Sequence, residues 1–157
     1  MKIYLASPLG FAESTRAYMD LLAKRLREHA EVLNPWDKTE LGAQYATVQD
    51  LPTHAERLKR WQEINTQIGA ANTEMIDAAD TIVAVLDGID VDSGTAAEIG
   101  YGFGRGLRIY GLRTDFRQTG ENEGGLVNLQ VRYFIDASGG TVVTTLDALI
   151  ETLFSGT

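Results

Sequence analysis

Apolar residues along the chain fall into two alternating patterns. Nearly uninterrupted short runs, Lys2-Ile3-Tyr4-Leu5-Ala6, Thr81-Ile82-Val83-Ala84-Val85-Leu86 and Leu107-Arg108-Ile109-Tyr110-Gly111-Leu112, read as strands buried on both faces of a sheet. Glu31-Val32-Leu33-Asn34, cut off by Pro35, reads as a short strand, and Val131-Arg132-Tyr133-Phe134-Ile135 as a fifth. Helical spacing separates them. From Glu13 to Ala30 the apolar positions are Tyr18, Leu21, Leu22 and Leu26. Thr53 to Ala79 is helical, as one helix or as two meeting at Gly69. A glycine-rich helix runs to Arg105, and a last helix, capped by Thr144 or Thr145, places Leu146, Leu149, Ile150 and Leu153 on one face. Two stretches lack a period and read as long loops: Trp36 to Pro52, and Arg113 to Leu126 with its three glycines.

Strands and helices that alternate in this way predict an α/β fold, a flavodoxin-like three-layer sandwich around a central, mostly parallel five-stranded sheet. The 157 residues are expected to form one domain, residues 1–157, since a domain averages ~150 residues. A chain of this length buries enough surface to fold without disulfide or metal.

Charge and composition narrow the function. The net charge of -8 argues against a nucleic-acid polymer or an anionic membrane as partner, because both need a basic face. The absence of cysteine removes disulfides, thiolate metal sites and a cysteine nucleophile together. His29 and His54 have no metal-ligand spacing. No leader and no apolar run near ~18 residues is visible, so a soluble, cytoplasmic protein is expected.

The densest chemistry lies in Asp90-Val91-Asp92-Ser93-Gly94-Thr95-Ala96-Ala97-Glu98-Ile99-Gly100-Tyr101, at the carboxyl end of a central strand, where open α/β sheets bind ligands. Glu98 sits about one turn into a helix, near its positive end. With Asp87, Asp90 and Asp92 close by, like charges push carboxyl pKa values apart, and one acid and one nucleophile can share a site. Gly94 lets the backbone approach a ligand. A second reading stands beside this one. Thr95-Ala96-Ala97-Glu98 matches a capping box, in which the glutamate serves only the helix end. Tyr4 lies on a strand next to that of Thr81–Leu86 and is either a core aromatic or within reach of Glu98. Ser7, Ser14, Thr15 and Arg16 could hold a phosphate at a helix N-terminus, or Ser14 could cap the helix. Gly100, Gly102, Gly104 and Gly106 miss the G-x-G-x-x-G spacing; Gly100 and Gly104 share a helix face and read as close helix-on-sheet packing.

Taken together, Ile3-Tyr4-Leu5-Ala6-Ser7-Pro8-Leu9, Asn34-Pro35-Trp36, Asn72 to Asp80, Asp92 to Tyr101 and Asn128-Leu129-Gln130 resemble the nucleoside 2-deoxyribosyltransferase family. The resemblance implies a flavodoxin-like domain that moves a 2-deoxyribosyl group between purine or pyrimidine bases, with deoxyribonucleosides and free nucleobases as partners and no cofactor or metal. It implies Glu98 as the nucleophile, Tyr4 as its orienting donor and Asp92 as the group that protonates the leaving base. Asn72, Gly94 and Ser7 would bind substrate. Asn128, with Gln130 two positions on, would be lent to the sugar site of a neighbouring subunit in a homo-oligomer, commonly a hexamer built from dimers. Asn72 stands where the family has a base-contacting aspartate, and an amide cannot deliver a proton. A related activity, hydrolysis of deoxynucleoside 5′-monophosphates, would use the same glutamate. A nucleotide-sensing domain without catalysis is the alternative of another class.

Overall fold

A computed structural model describes residues 1–37 and 39–155, with the side chains of residues 39–42 outside the description. Five strands, β1 (Lys2–Ala6), β2 (Glu31–Leu33), β3 (Thr81–Val85), β4 (Arg108–Leu112) and β5 (Val142–Val143), form one sheet in the order β2-β1-β3-β4-β5. Every neighbouring pair is parallel. This is the flavodoxin-like order, with β1 and β3 at the switch point where the connections change direction.

Strand residues alternate between two cores, as the two-residue period of a pleated strand requires. Tyr4, Ala6, Ile82, Ala84, Leu86 and Ile109 pack with Ile76 of α3 (His54–Asp77), Ile99 of α4 (Ser93–Gly104) and Val131 and Ile135 of α5 (Leu129–Ala137). Ile3, Leu5, Val83, Val85 and Leu112 pack with Met19, Leu22 and Leu26 of α1 (Glu13–Arg27) and Leu149 of α6 (Leu146–Phe154). Leu21, expected on the inner face of α1, is exposed, and Met19 takes its place. Parity thus turns Tyr4 toward α3 and α4, which decides what its hydroxyl can touch.

Two further expectations need correction, and two open alternatives are decided. Residues 131–135 are not a strand but part of α5: Asn128 caps it by accepting from the Gln130 and Val131 amides, and Val131 and Ile135, one turn apart, face the core. The fifth strand is the two-residue β5, set in register against Gly111 and Leu112. The Trp36–Pro52 stretch is not a loop. It forms a 3-10 turn, Pro35–Asp37, and the helix α2 (Thr39–Gln49), while Lys38 lies outside the described residues. Val48 of α2 is buried, and Tyr45 and Gln44 reach Trp61 and Arg60 of α3. The long helix α3 runs unbroken through Gly69, started by a capping box between Thr53 and Glu56. Thr145, of the two candidates, caps α6.

The glycines of α4 also differ from expectation. A β-carbon on Gly100 would meet Phe134 at 3.6 Å, an ordinary contact, and one on Gly104 would meet nothing within 4 Å. It is Gly102 that lets the helix approach the sheet, since a β-carbon there would fall 2.2 Å from Cδ1 of Ile82.

Candidate functional site

The carboxyl ends of β1 and β3 open into a cleft of about 550 Å³ between the turn after β1, the 3-10 turn, α2, α3 and the start of α4. Tyr4 lies behind the lining and supports it. It is fully buried, and its hydroxyl donates to Oε1 of Glu98 at 2.7 Å across 94 positions of sequence. Asn72 of α3 donates its Nδ2 to the same oxygen at 3.4 Å. Glu98 therefore does not close a capping box. The cap of α4 is Asp92, whose Oδ2 accepts from the Thr95 amide at 3.0 Å, three residues before the predicted box would begin. That shift turns the Glu98 carboxyl away from the helix end and into the cleft.

Burial pushes the Glu98 carboxyl above the ordinary carboxylate range. The hydrogen bond from Tyr4 pulls it back, the negative charge of Asp92 adds to the rise, and the bond from Asn72 lowers it again. Burial and then the Glu98 charge drive the Tyr4 phenol far upward, so it remains protonated and acts as a donor at any ordinary pH.

The turn after β1 is shaped by a tryptophan. Trp36 donates its indole N–H to the Ser7 carbonyl at 2.8 Å and lies flat over Gly10, where a β-carbon would come within 2.1 Å of the ring. Only glycine leaves room there. Asn34, buried, holds the Trp36 amide at 3.2 Å. Phe11 meets the Trp36 ring edge-on, with centroids 4.6 Å apart. Part of the cleft lining is thus aromatic, a surface suited to a flat heterocycle, and Glu98 and Asp92 line the same cleft.

Of the residues proposed from sequence, Tyr4, Asn72, Asp92, Gly94, Ser7 and Glu98 come together here: all but Tyr4 line the cleft, and Tyr4 holds Glu98 from behind. Arg16 also lines it, donating to the Gly10 carbonyl at 3.3 Å. Ser14 is no cap; the first turn of α1 has no side-chain cap, and Thr15 instead donates to the Leu9 carbonyl at 2.5 Å. Asn128 and Gln130 stand elsewhere. Asn128 caps α5 and donates to Glu121 at 2.6 Å, and Gln130 is exposed. Asp87 and Asp90 do not line the cleft either. Asp90 accepts from the Val91 amide, and Asp87 binds the loop after β4. Sequence reasoning missed Phe11, Tyr45, Asn65 and Ile68 as lining residues. Phe11 carried one signal, a large apolar side chain in a turn with no strand or helix period to bury it. Among the described residues no group of three or more His, Cys, Asp or Glu side chains is placed to hold a metal ion. No described helix is long and apolar enough to cross a membrane.

A model of the family described as nucleoside 2-deoxyribosyltransferase matches residues 3–130. No curated protein sequence matches the chain. Among solved structures, a conserved protein from Enterococcus faecalis V583 is 25% identical with a TM-score of 0.70, covering 100% of this chain and 99% of its own. The 2-deoxyribosyltransferase of Bacillus psychrosaccharolyticus is 20% identical with a TM-score of 0.69, covering 99% and 95%. The CMP N-glycosidase BcmB of Clostridium botulinum is 17% identical with a TM-score of 0.59, covering 100% of both chains.

Proposed function

The chain belongs to the nucleoside 2-deoxyribosyltransferase family, and from that premise we propose that it transfers a 2-deoxyribosyl group from one nucleobase to another at the cleft around Glu98. The observation that carries the reading is the Tyr4–Glu98–Asn72 arrangement, a half-buried carboxyl held by two neutral donors in a cleft whose lining is partly aromatic. Both donors bind Oε1, so attack falls to Oε2. In the first displacement Oε2 bonds to the anomeric carbon, the bond from that carbon to the base nitrogen breaks, and its electron pair leaves with the base. Asp92 supplies the proton that neutralises the departing base. The product on the enzyme is a deoxyribosyl ester of Glu98. In the second displacement the nitrogen of an incoming base attacks the same carbon, the ester bond breaks, Glu98 recovers its carboxylate, and the proton of the incoming base returns to Asp92. Two inversions give net retention. Water in place of the second base yields free deoxyribose, and a cleft filled by the incoming base disfavours it.

Arg16 favours a second reading, hydrolysis of a nucleoside 5′-monophosphate, because it places a cation in the same cleft. The fold likeness to the Clostridium glycosidase is compatible with it. One assay separates the two. Thymidine and its 5′-monophosphate are each supplied with and without free adenine, and products are resolved by chromatography. Transfer predicts deoxyadenosine from thymidine plus adenine. Release of thymine from the monophosphate alone, with no new nucleoside, would replace it with the hydrolase.

A further inference from the structure

Two charged side chains outside the reaction scheme tie together the loops at the strand ends. Arg113, directly after β4, is 1% exposed. Its Nη1 donates to the Leu86 carbonyl, and its Nη2 to the Gly88 carbonyl at 3.3 Å, the Arg117 carbonyl at 2.8 Å and Thr119 Oγ1 at 3.3 Å. Its Nε is buried with no hydrogen-bond partner. Gly88 adopts φ +129°, a conformation that side chains resist, and it is this turn that offers its carbonyl to the guanidinium. In the other direction Asp87, at the end of β3, accepts from the Thr114 hydroxyl at 2.6 Å, the Asp115 amide at 2.8 Å and the Thr114 amide. Each loop thus supplies the charged group that satisfies the backbone of the other.

This arrangement is a poor way to gain stability alone. A buried guanidinium held only by neutral acceptors, with one N–H unmet, is costly where an apolar side chain would fill the space. Its yield is position. Between Leu86 and Val91, both buried, Asp87 and Gly88 are half-buried and Ile89 and Asp90 are exposed, so no apolar packing guides the chain over those four residues. The next residue after Val91 is Asp92, which caps α4 and lines the cleft together with Glu98, close enough for its charge to act on that carboxyl. We propose that Asp87 and Arg113 form a reciprocal latch that fixes the path of residues 87–91 and thereby sets Asp92 against Glu98; both are positioning residues for the site. The kinetic part of this inference rests on the glycosyl-transfer reading above.

Three variants test it: Arg113→Lys, which keeps the charge and loses the fork; Asp87→Asn; and Thr114→Val, an exposed position whose change leaves the core intact. Thermal melts establish that each is folded. Hydrogen exchange of the amides from Gly88 to Thr95 is compared with that of β1. In all three variants the loop amides exchange at least about tenfold faster while β1 is unchanged. With thymidine and adenine, kcat falls on the order of 100-fold in Arg113→Lys and Asp87→Asn, as expected for a misplaced acid, while KM for thymidine moves less than about threefold. A general loss of folding would instead raise exchange everywhere. Unchanged loop exchange in folded Asp87→Asn and Thr114→Val, or unchanged kcat in folded Asp87→Asn, overturns the latch. If the wild-type protein transfers no deoxyribosyl group, the functional reading fails, and loop exchange alone decides the latch.

Discussion

Tyr4→Phe removes one oxygen atom and the donor that faces Glu98 at 2.7 Å, and leaves a ring of the same shape in a fully buried position. A hydrogen bond to a charged acceptor is worth about 1.5–3 kcal/mol. At 1.36 kcal/mol per unit, its loss raises the Glu98 pKa by about 1–2 units beyond its present elevated position. Asn72, at 3.4 Å, offers only partial replacement. The assay is the pH dependence of kcat/KM for transfer from thymidine to adenine. The nucleophile must be ionised, so the acid limb moves to higher pH by about 1–2 units in the variant. Stability shifts in a linked way. Glu98 is raised in the folded protein, so its contribution to stability falls as pH rises from its unfolded value toward its folded value. Tyr4→Phe extends that window upward, and the difference in Tm between wild type and variant therefore widens as pH rises from the folded Glu98 value of the wild type to the higher one of the variant. Acid limbs that superimpose, or a Tm difference that does not change with pH, would refute the role given to Tyr4.

Further outcomes follow from the same geometry. Asn72→Asp places a second carboxyl against Glu98 Oε1, so the acid limb of the pH–rate profile moves upward relative to wild type, as like charges at close range require. Gly102→Ala drives a methyl into Ile82 and destabilises by about 1–3 kcal/mol, read from urea unfolding. Thr53→Ala opens the capping box of α3 and costs about 1 kcal/mol in the same measurement, with kcat unchanged because the residue is remote from the cleft.

The central strands were legible because β3 and most of β1 are buried on both faces and therefore written without polar interruption. The misreadings have specific causes. Val131-Arg132-Tyr133-Phe134-Ile135 is rich in strand-favouring side chains, yet the cap at Asn128 and the spacing of Val131 and Ile135 commit it to a helix, which is tertiary packing overriding propensity. Edge strand β5, at two residues, is too short to show a period. Helix α2 buries little of its surface among the described side chains and so lacks an apolar stripe. At the site, the Glu98 region was visible as a cluster of carboxyls, but its meaning depended on Tyr4, 94 residues away. Strand order and pleat parity together bring those two into contact; neither is written at Glu98 itself. Asn72 was expected to touch a base, and its bond to Glu98 was invisible in sequence because it depends on how α3 crosses α4. The latch of Asp87 and Arg113 was illegible for the same reason, and Asp87 passed for one more site carboxyl.

The central claim is that Glu98 becomes covalently glycosylated during turnover. Its most direct test is to mix the protein with thymidine in the absence of acceptor base, quench in acid within the first turnover, digest, and map adducts by mass spectrometry. The expected result is a deoxyribosyl adduct on the peptide carrying Glu98, discharged on addition of adenine with formation of deoxyadenosine, and absent in Glu98→Ala. Transfer that proceeds with no adduct at Glu98, or that continues at the wild-type rate in Glu98→Ala, would contradict it.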